Sequence, residues 1–340
     1  MYMNPLTIKR ALAFAAATVL LLTFGCGQAA AEEKTAEATP EVVAVEDASS
    51  DETATGGTDA VVAYTGIYHV DQTTDESTSG SYASNTANEN TVLVESAGEL
   101  TMNSADINKT GDVEGDFSTG INAAVVVSSK GQMTLSESNI TTNGAGAAGL
   151  AVLGEGTQLA LNNTSVYTSG TSSPVIIVRD DASAVITAGI LATEGADSPC
   201  ILFLGGRLTL AGVSLSSAGG DILQVLSGEN FLTLDNTAIS AKPVLAEGST
   251  LQLNLVNGAS FTGELGATLP AKASVSLDAA SKLILTADTN LVTLVNADTT
   301  HQNIQSNGFS IYYDSNAPDN AYLESQSFAL PGGGYLTPII

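Results

Sequence analysis

The sequence predicts an all-β protein: a single-stranded right-handed parallel β-helix of about nine coils, following a signal peptide and a disordered linker. Three observations predict it: a motif that returns at near-constant spacing, internal offsets that persist from copy to copy, and a strand-forming composition. Only 14% of residues are charged while 44% are hydrophobic, and 33 of 340 are glycine. Such a chain can bury a core. Its wealth of Ser, Thr, Asn, Val and Leu favours strands and turns over helices.

The segment QMTLSESNITTNG (132–144) returns as QLALNNTSVYTSG (158–170), then as SAVITAGILATEG (183–195), GRLTLAGVSLSSAG (206–219) and FLTLDNTAIS (231–240). Each copy centres on one aliphatic residue: Leu135, Leu161, Ile186, Leu210 and Leu234. Five residues later stand Ile140, Val166, Leu191, Leu215 and Ile239; four residues further stand Gly144, Gly170, Gly195 and Gly219, with Pro243 closing the series. Eight residues before the centre stand Val127, Leu153, Val178, Leu202 and Leu226. An earlier copy runs through Val94, Met102, Ile107 and Gly111. The centres are 26, 25, 24 and 24 residues apart. All length variation is therefore expected after the glycine, where DVEGDFSTGIN follows Gly111 as the longest insertion.

Each unit reads as three short strands with period-two alternation, and the glycine as a turn position requiring positive φ. A β-sandwich also spaces strands every 8–12 residues, but nothing in it repeats one residue type at a fixed offset. A coil stacked on itself does, because each interior position lies over its counterpart about 4.8 Å away. One coil buries too few aliphatics to offset its ordering entropy, so coils must come in arrays. Beyond Pro243, Leu251, Leu253 and Leu255 lead to Phe261, and Val275 and Leu277 lead to Leu283 and Leu285. The tail from about residue 300, with Phe309, Ile311, Tyr312, Tyr313 and the stretch 330–340, reads as a cap on the last open edge.

Domain organisation follows. Residues 1–25 read as a signal peptide: Lys9 and Arg10 precede an uncharged apolar run, 11–24, too short to span a bilayer. Leu22-Thr23-Phe24-Gly25-Cys26 resembles a bacterial lipobox, although Thr23 and Phe24 depart from it. Lipidation at Cys26 is the expectation; ordinary cleavage after Ala31, behind Ala29-Ala30-Ala31, is the alternative and would release a soluble secreted or periplasmic protein. Residues 26–60, rich in Ala, Glu, Asp and Thr and without an aromatic side chain, form an acidic disordered linker. Residues 61–340 form the β-helix.

Acidic residues outnumber basic ones 36 to 10, which repels phosphate backbones and excludes nucleic acid as a partner. No catalytic constellation, cofactor motif or metal-ligand spacing emerges. His69 lies in an alternating first strand and His301 in a polar loop, with nothing to bring them together. Arg179-Asp180-Asp181 is the sharpest charged cluster, but it falls where the repeat places a turn. Cys200 aligns with Val125, Ala151 and Ile176 and is expected as a packed, inert thiol. Thr141, Thr142, Thr168 and Thr193 sketch a threonine row of the kind found on ice-binding faces, broken at Ser216 and Ser217.

From GINAAVVVSSKGQMTLSESNITTNG to NGFSIYYDS and GGGYLTP, the chain resembles bacterial adhesin-like β-helix surface proteins, with pertactin-type autotransporter passengers as the distant parallel. No amphipathic barrel strands follow at the C-terminus, so a lipid would take the anchoring role. The resemblance implies a monomeric, non-enzymatic cell-envelope protein, membrane-held through Cys26 and binding a glycan or surface-protein ligand. A polysaccharide lyase or hydrolase (or an inactive relative) and an ice-binding or structural surface protein are the alternatives.

Overall fold

The computed structural model describes residues 62–266 and 272–339. Cys26, Ala31 and the linker lie outside them. The described residues form a parallel β-solenoid of about 11 turns. Each coil contributes up to three strands, and each strand pairs in parallel with its counterparts above and below.

The second strand of the coil carries the predicted column. Met102, Leu135, Leu161, Ile186, Leu210, Leu234, Leu255 and Leu277 are successive register partners, and all are buried. A second column, Ile107, Ile140, Val166, Leu191 and Leu215, runs along the third strands. The two coils beyond the nine expected lie at the ends. Gly66–Asp71, Thr74–Thr78 and Ser81–Ser84 form a first coil whose inward side chains include Tyr68 and Tyr82 in place of aliphatics. At the other end Ile311–Asp314 continues the ladder into Tyr335–Ile339, where the antiparallel Phe328–Ala329 closes the cap.

The first strand departs from the predicted offsets. Its inward column is Val94, Val127, Val152, Val178, Phe203 and Val225, so Leu153, Leu202 and Leu226 are not in it. The turn between first and second strands thus also varies in length, and insertions are not confined to the position after the glycine. The physical reason is a second buried face. Leu93, Val126, Ala151, Ile177 and Leu202 point out of the solenoid yet are buried, packed with Phe117 and Tyr64. Phe117 belongs to the insertion after Gly111, whose short 3₁₀ turn Phe117–Thr119 is capped by the Asp116 carboxylate accepting from Ser118 N at 2.9 Å. Tyr64 Oη donates to Thr119 O (2.9 Å) and Arg179 Nη1 to Ser118 O (3.3 Å), fastening the insertion over the sheet. A strand apolar on both faces has no alternation by which its register is read.

The glycines also serve a different purpose from the one predicted. Gly144, Gly170, Gly195 and Gly219 do not have positive φ. Instead they stack: a Cβ on Gly170 would lie 1.9 Å from the carbonyl oxygen of Gly144, and one on Gly195 would lie 1.8 Å from that of Gly170. Close backbone approach selects glycine here.

The solenoid tapers past Gly219. The centres Leu234, Leu255 and Leu277 are 21 and 22 residues apart. From third-strand to next first-strand core residue the chain takes 12 residues from Leu191 to Phe203, 10 from Leu215 to Val225 and 6 from Ile239 to Leu245. Pro243 sits in the shortest of these turns. A coil of smaller perimeter cannot keep its third strand in line with that of a larger one, and the sheet breaks there. Ser214–Ser217 belongs to the long sheet; Ala238–Ala241 starts a separate four-stranded sheet. Most Cα–Cα separations between these two strands exceed 8 Å, so Leu215 and Ile239 are not stacked as the repeat predicted.

Candidate functional site

The charged and nucleophilic side chains singled out in the sequence do not converge. His69 Nε2 lies 2.9 Å from Glu95 Oε1 on the outside of the first coil. His301 is buried near the other end, its Nδ1 3.3 Å from Asn296 Nδ2 and its ring edge-on to Phe328 at 5.1 Å. Burial lowers the His301 pKa below its ordinary value of 6.5, against the opposing pull of Asp298. The unfolded chain therefore binds this proton more readily, and the contribution is present above pH 6.5 and lost as pH falls. Acidification below pH 6.5 is expected to lower the unfolding midpoint, and His301→Gln to flatten that dependence, as read by thermal melts across pH. An unchanged slope in the variant would contradict the assignment.

Arg179, Asp180 and Asp181 form the predicted turn, with Asp180 and Asp181 at φ 56° and 64°. Arg179 Nε pairs with Asp180 Oδ2 at 2.8 Å, a contact on the surface. Cys200 is fully buried but one residue out of its predicted register: Ile201, not Cys200, partners Ile176. Its thiol donates to Ser216 O at 3.1 Å, and burial pushes its pKa up to about 12, so it remains a neutral thiol. Thr142, Thr168 and Thr193 are buried. Thr142 Oγ1 donates to Ala147 O and Thr168 Oγ1 to Ser173 O, both at 2.7 Å, so these residues brace turns and present no row to solvent. Among the described residues no three metal-ligating side chains cluster.

The solenoid's outer surface carries two grooves. One, of about 550 Å³, runs across the third strands of successive coils. Asn108, Thr141, Tyr167, Ile190 and Ser216 line it, with Glu194 as its one charged side chain. Tyr167 and Ile190 are each 40% exposed, where strand alternation ordinarily places polar residues. Asn108 Nδ2 donates to Thr141 Oγ1 at 2.9 Å, which leaves the amide oxygen and the threonine proton for a ligand. The other groove, of about 530 Å³, lies on the second strands, where the Arg207 guanidinium sits 3.7 Å above the Phe231 ring beside Gln252, Asn254, Ser276 and Asp319. Neither groove stood out in the sequence reading. The available signal was the apolar residue at an outward position, Tyr167 in NNTSVYTSG and Ile190 in AGILATEG.

Fold and surface define the class of protein: a parallel β-solenoid with open, mostly uncharged grooves on its flanks. No protein-family model matches the chain, and neither a curated protein nor a solved structure is significantly similar to it.

Proposed function

We propose that this is a non-enzymatic, adhesin-like protein of the bacterial cell envelope, exported by its N-terminal segment, held to a membrane by lipid on Cys26, and offering its flanks to a glycan or protein partner. The observation that carries the reading is the third-strand groove, with Tyr167 and Ile190 in solvent and one isolated acid, Glu194. An exposed aromatic beside amides and hydroxyls suits recognition. Glycosidic cleavage requires two carboxylates at a set separation, and the groove lining supplies one. The acid-rich composition keeps such a domain soluble at a surface.

Two measurements test this. Cys26→Ala is expected to move the protein from the membrane fraction to the soluble fraction; retention in the membrane fraction would refute lipid anchoring. Incubation with pectin-, alginate- and glycosaminoglycan-type polymers is expected to yield no new reducing ends or unsaturated products. Turnover of any of them would replace this reading with an enzyme.

A further inference from the structure

The break in the third sheet leaves a strand edge open in the middle of the solenoid. Ser214–Ser217 pairs with residues 190–193 on one side and, among the described residues, with no strand on the other. The direction of its backbone groups follows from one bond. Ala218 N donates to Thr193 O at 2.9 Å, so Ser214 and Ser216 turn their amides and carbonyls toward that neighbour. Leu215 and Ser217 then face the step. The far side mirrors this: Ser260 N donates to Thr237 O at 3.1 Å, so Ile239 and Ala241 face the four-stranded sheet while Ala238 and Ser240 face the step. Residues 214–217 are exposed or half-buried, so the edge is accessible.

We infer that this step is a strand-addition site, at which an extended, neutral or basic segment of a partner polypeptide pairs with the free edge of Ser214–Ser217. The inference rests on the binding role proposed above and names the partner class. The alternating donors and acceptors of an open edge match a polypeptide backbone in extended form. Side-chain selectivity is available alongside, because Ser216 and Ser217 also form the end wall of the groove that exposes Tyr167 and Ile190. Charge sets the sign of the partner. Glu194, Asp197 and Asp221 flank the site in a chain of net charge −26, and the nearest cation, Lys242, is paired with Glu264 at 3.0 Å. A neutral saccharide suits the groove floor but leaves the backbone groups at the step unmatched.

The test uses the full chain and the blocked peptide Lys-Thr-Val-Thr-Val-Thr-Lys, with a copy N-methylated at alternate amides. In the free protein, the Leu215 and Ser217 amides should exchange with solvent about a hundredfold faster than those of Leu191 and Thr193. The peptide should slow them, and the N-methylated copy should bind about tenfold more weakly or not at all. Ser217→Pro, which removes a donor that the ladder does not use, should weaken binding about tenfold, while Ser217→Ala should stay within about twofold. If Ser217→Pro does not fold, the comparison of the two peptides on the unaltered chain decides. Equal binding of both peptides, no peptide binding at all, edge amides already protected, or protection appearing only with oligosaccharide or with rising protein concentration would each overturn the inference. None of these outcomes produces polymer cleavage, the result that would overturn the binding role itself.

Discussion

Gly195→Ala is expected to destabilise the protein by about 3 kcal/mol or more, among the largest effects of any single methyl group in this chain. The new Cβ would lie 1.8 Å from the carbonyl oxygen of Gly170 and 2.7 Å from Ser198 Oγ. The first obstacle is backbone, so no side-chain rotation relieves it, and the coils must part where Glu194 N donates to Thr168 O (2.9 Å). Gly258→Ala is the control. Gly258 has φ 82° with nothing within 4 Å of its would-be Cβ, so only conformational strain of about 1–2 kcal/mol applies. Asparagine separates the two explanations, since it tolerates positive φ: Gly195→Asn should be at least as damaging as Gly195→Ala, and Gly258→Asn nearly silent. Denaturant midpoints of the four variants measure this. A mild Gly195→Asn would show that conformation, not close approach, selects glycine in the stack.

Leu161→Ala should cost about 3–5 kcal/mol. Leu161 is fully buried between Leu135 and Ile186, and the coils on either side are held to their own neighbours, so the cavity has little freedom to collapse. Stability in a solenoid is shared between adjacent coils, so hydrogen exchange should accelerate in the coils carrying Leu135 and Ile186 before it does so at the ends. Val185→Ala, at an outward position 43% exposed, should change stability by less than about 0.5 kcal/mol. Equal losses at Leu161 and Val185 would contradict the assignment of inward and outward faces.

The second and third strands were legible in the sequence because each has one wet face. Alternation in residues such as Leu159-Ala160-Leu161 reports which side is buried, and the five-residue offset from Leu161 to Val166 survives in the structure. The first strand was not legible. In Leu150-Ala151-Val152-Leu153 every side chain is buried, outward ones under the Phe117 insertion, and a pattern without polar residues cannot distinguish Val152 from Leu153. Cys200 was placed one residue out for the same reason. The glycine stack was visible as a recurrence but its cause was not, because contacts between coils leave the same signature as a turn. The step at Pro243 required knowing that a shorter coil shrinks the perimeter. The grooves hinge on Tyr167 and Ile190, two residues that depart from alternation and belong to no motif. Cys26, which carries the anchoring proposal, lies outside the described residues, so that reading rests on sequence alone.

The stacking of coils is tested most directly by cross-linking outward neighbours in a Cys26→Ala background. Gln132 and Gln158 are register partners on adjacent coils, as are Gln158 and Ser183, and paired strands place such residues about 4.8 Å apart, within disulfide reach. Gln132→Cys with Gln158→Cys, and Gln158→Cys with Ser183→Cys, should each oxidise to an intramolecular disulfide in the folded chain, while Gln132→Cys with Ser183→Cys, two coils apart, should remain reduced. Bridging of the distant pair, or of none, would contradict a parallel stack.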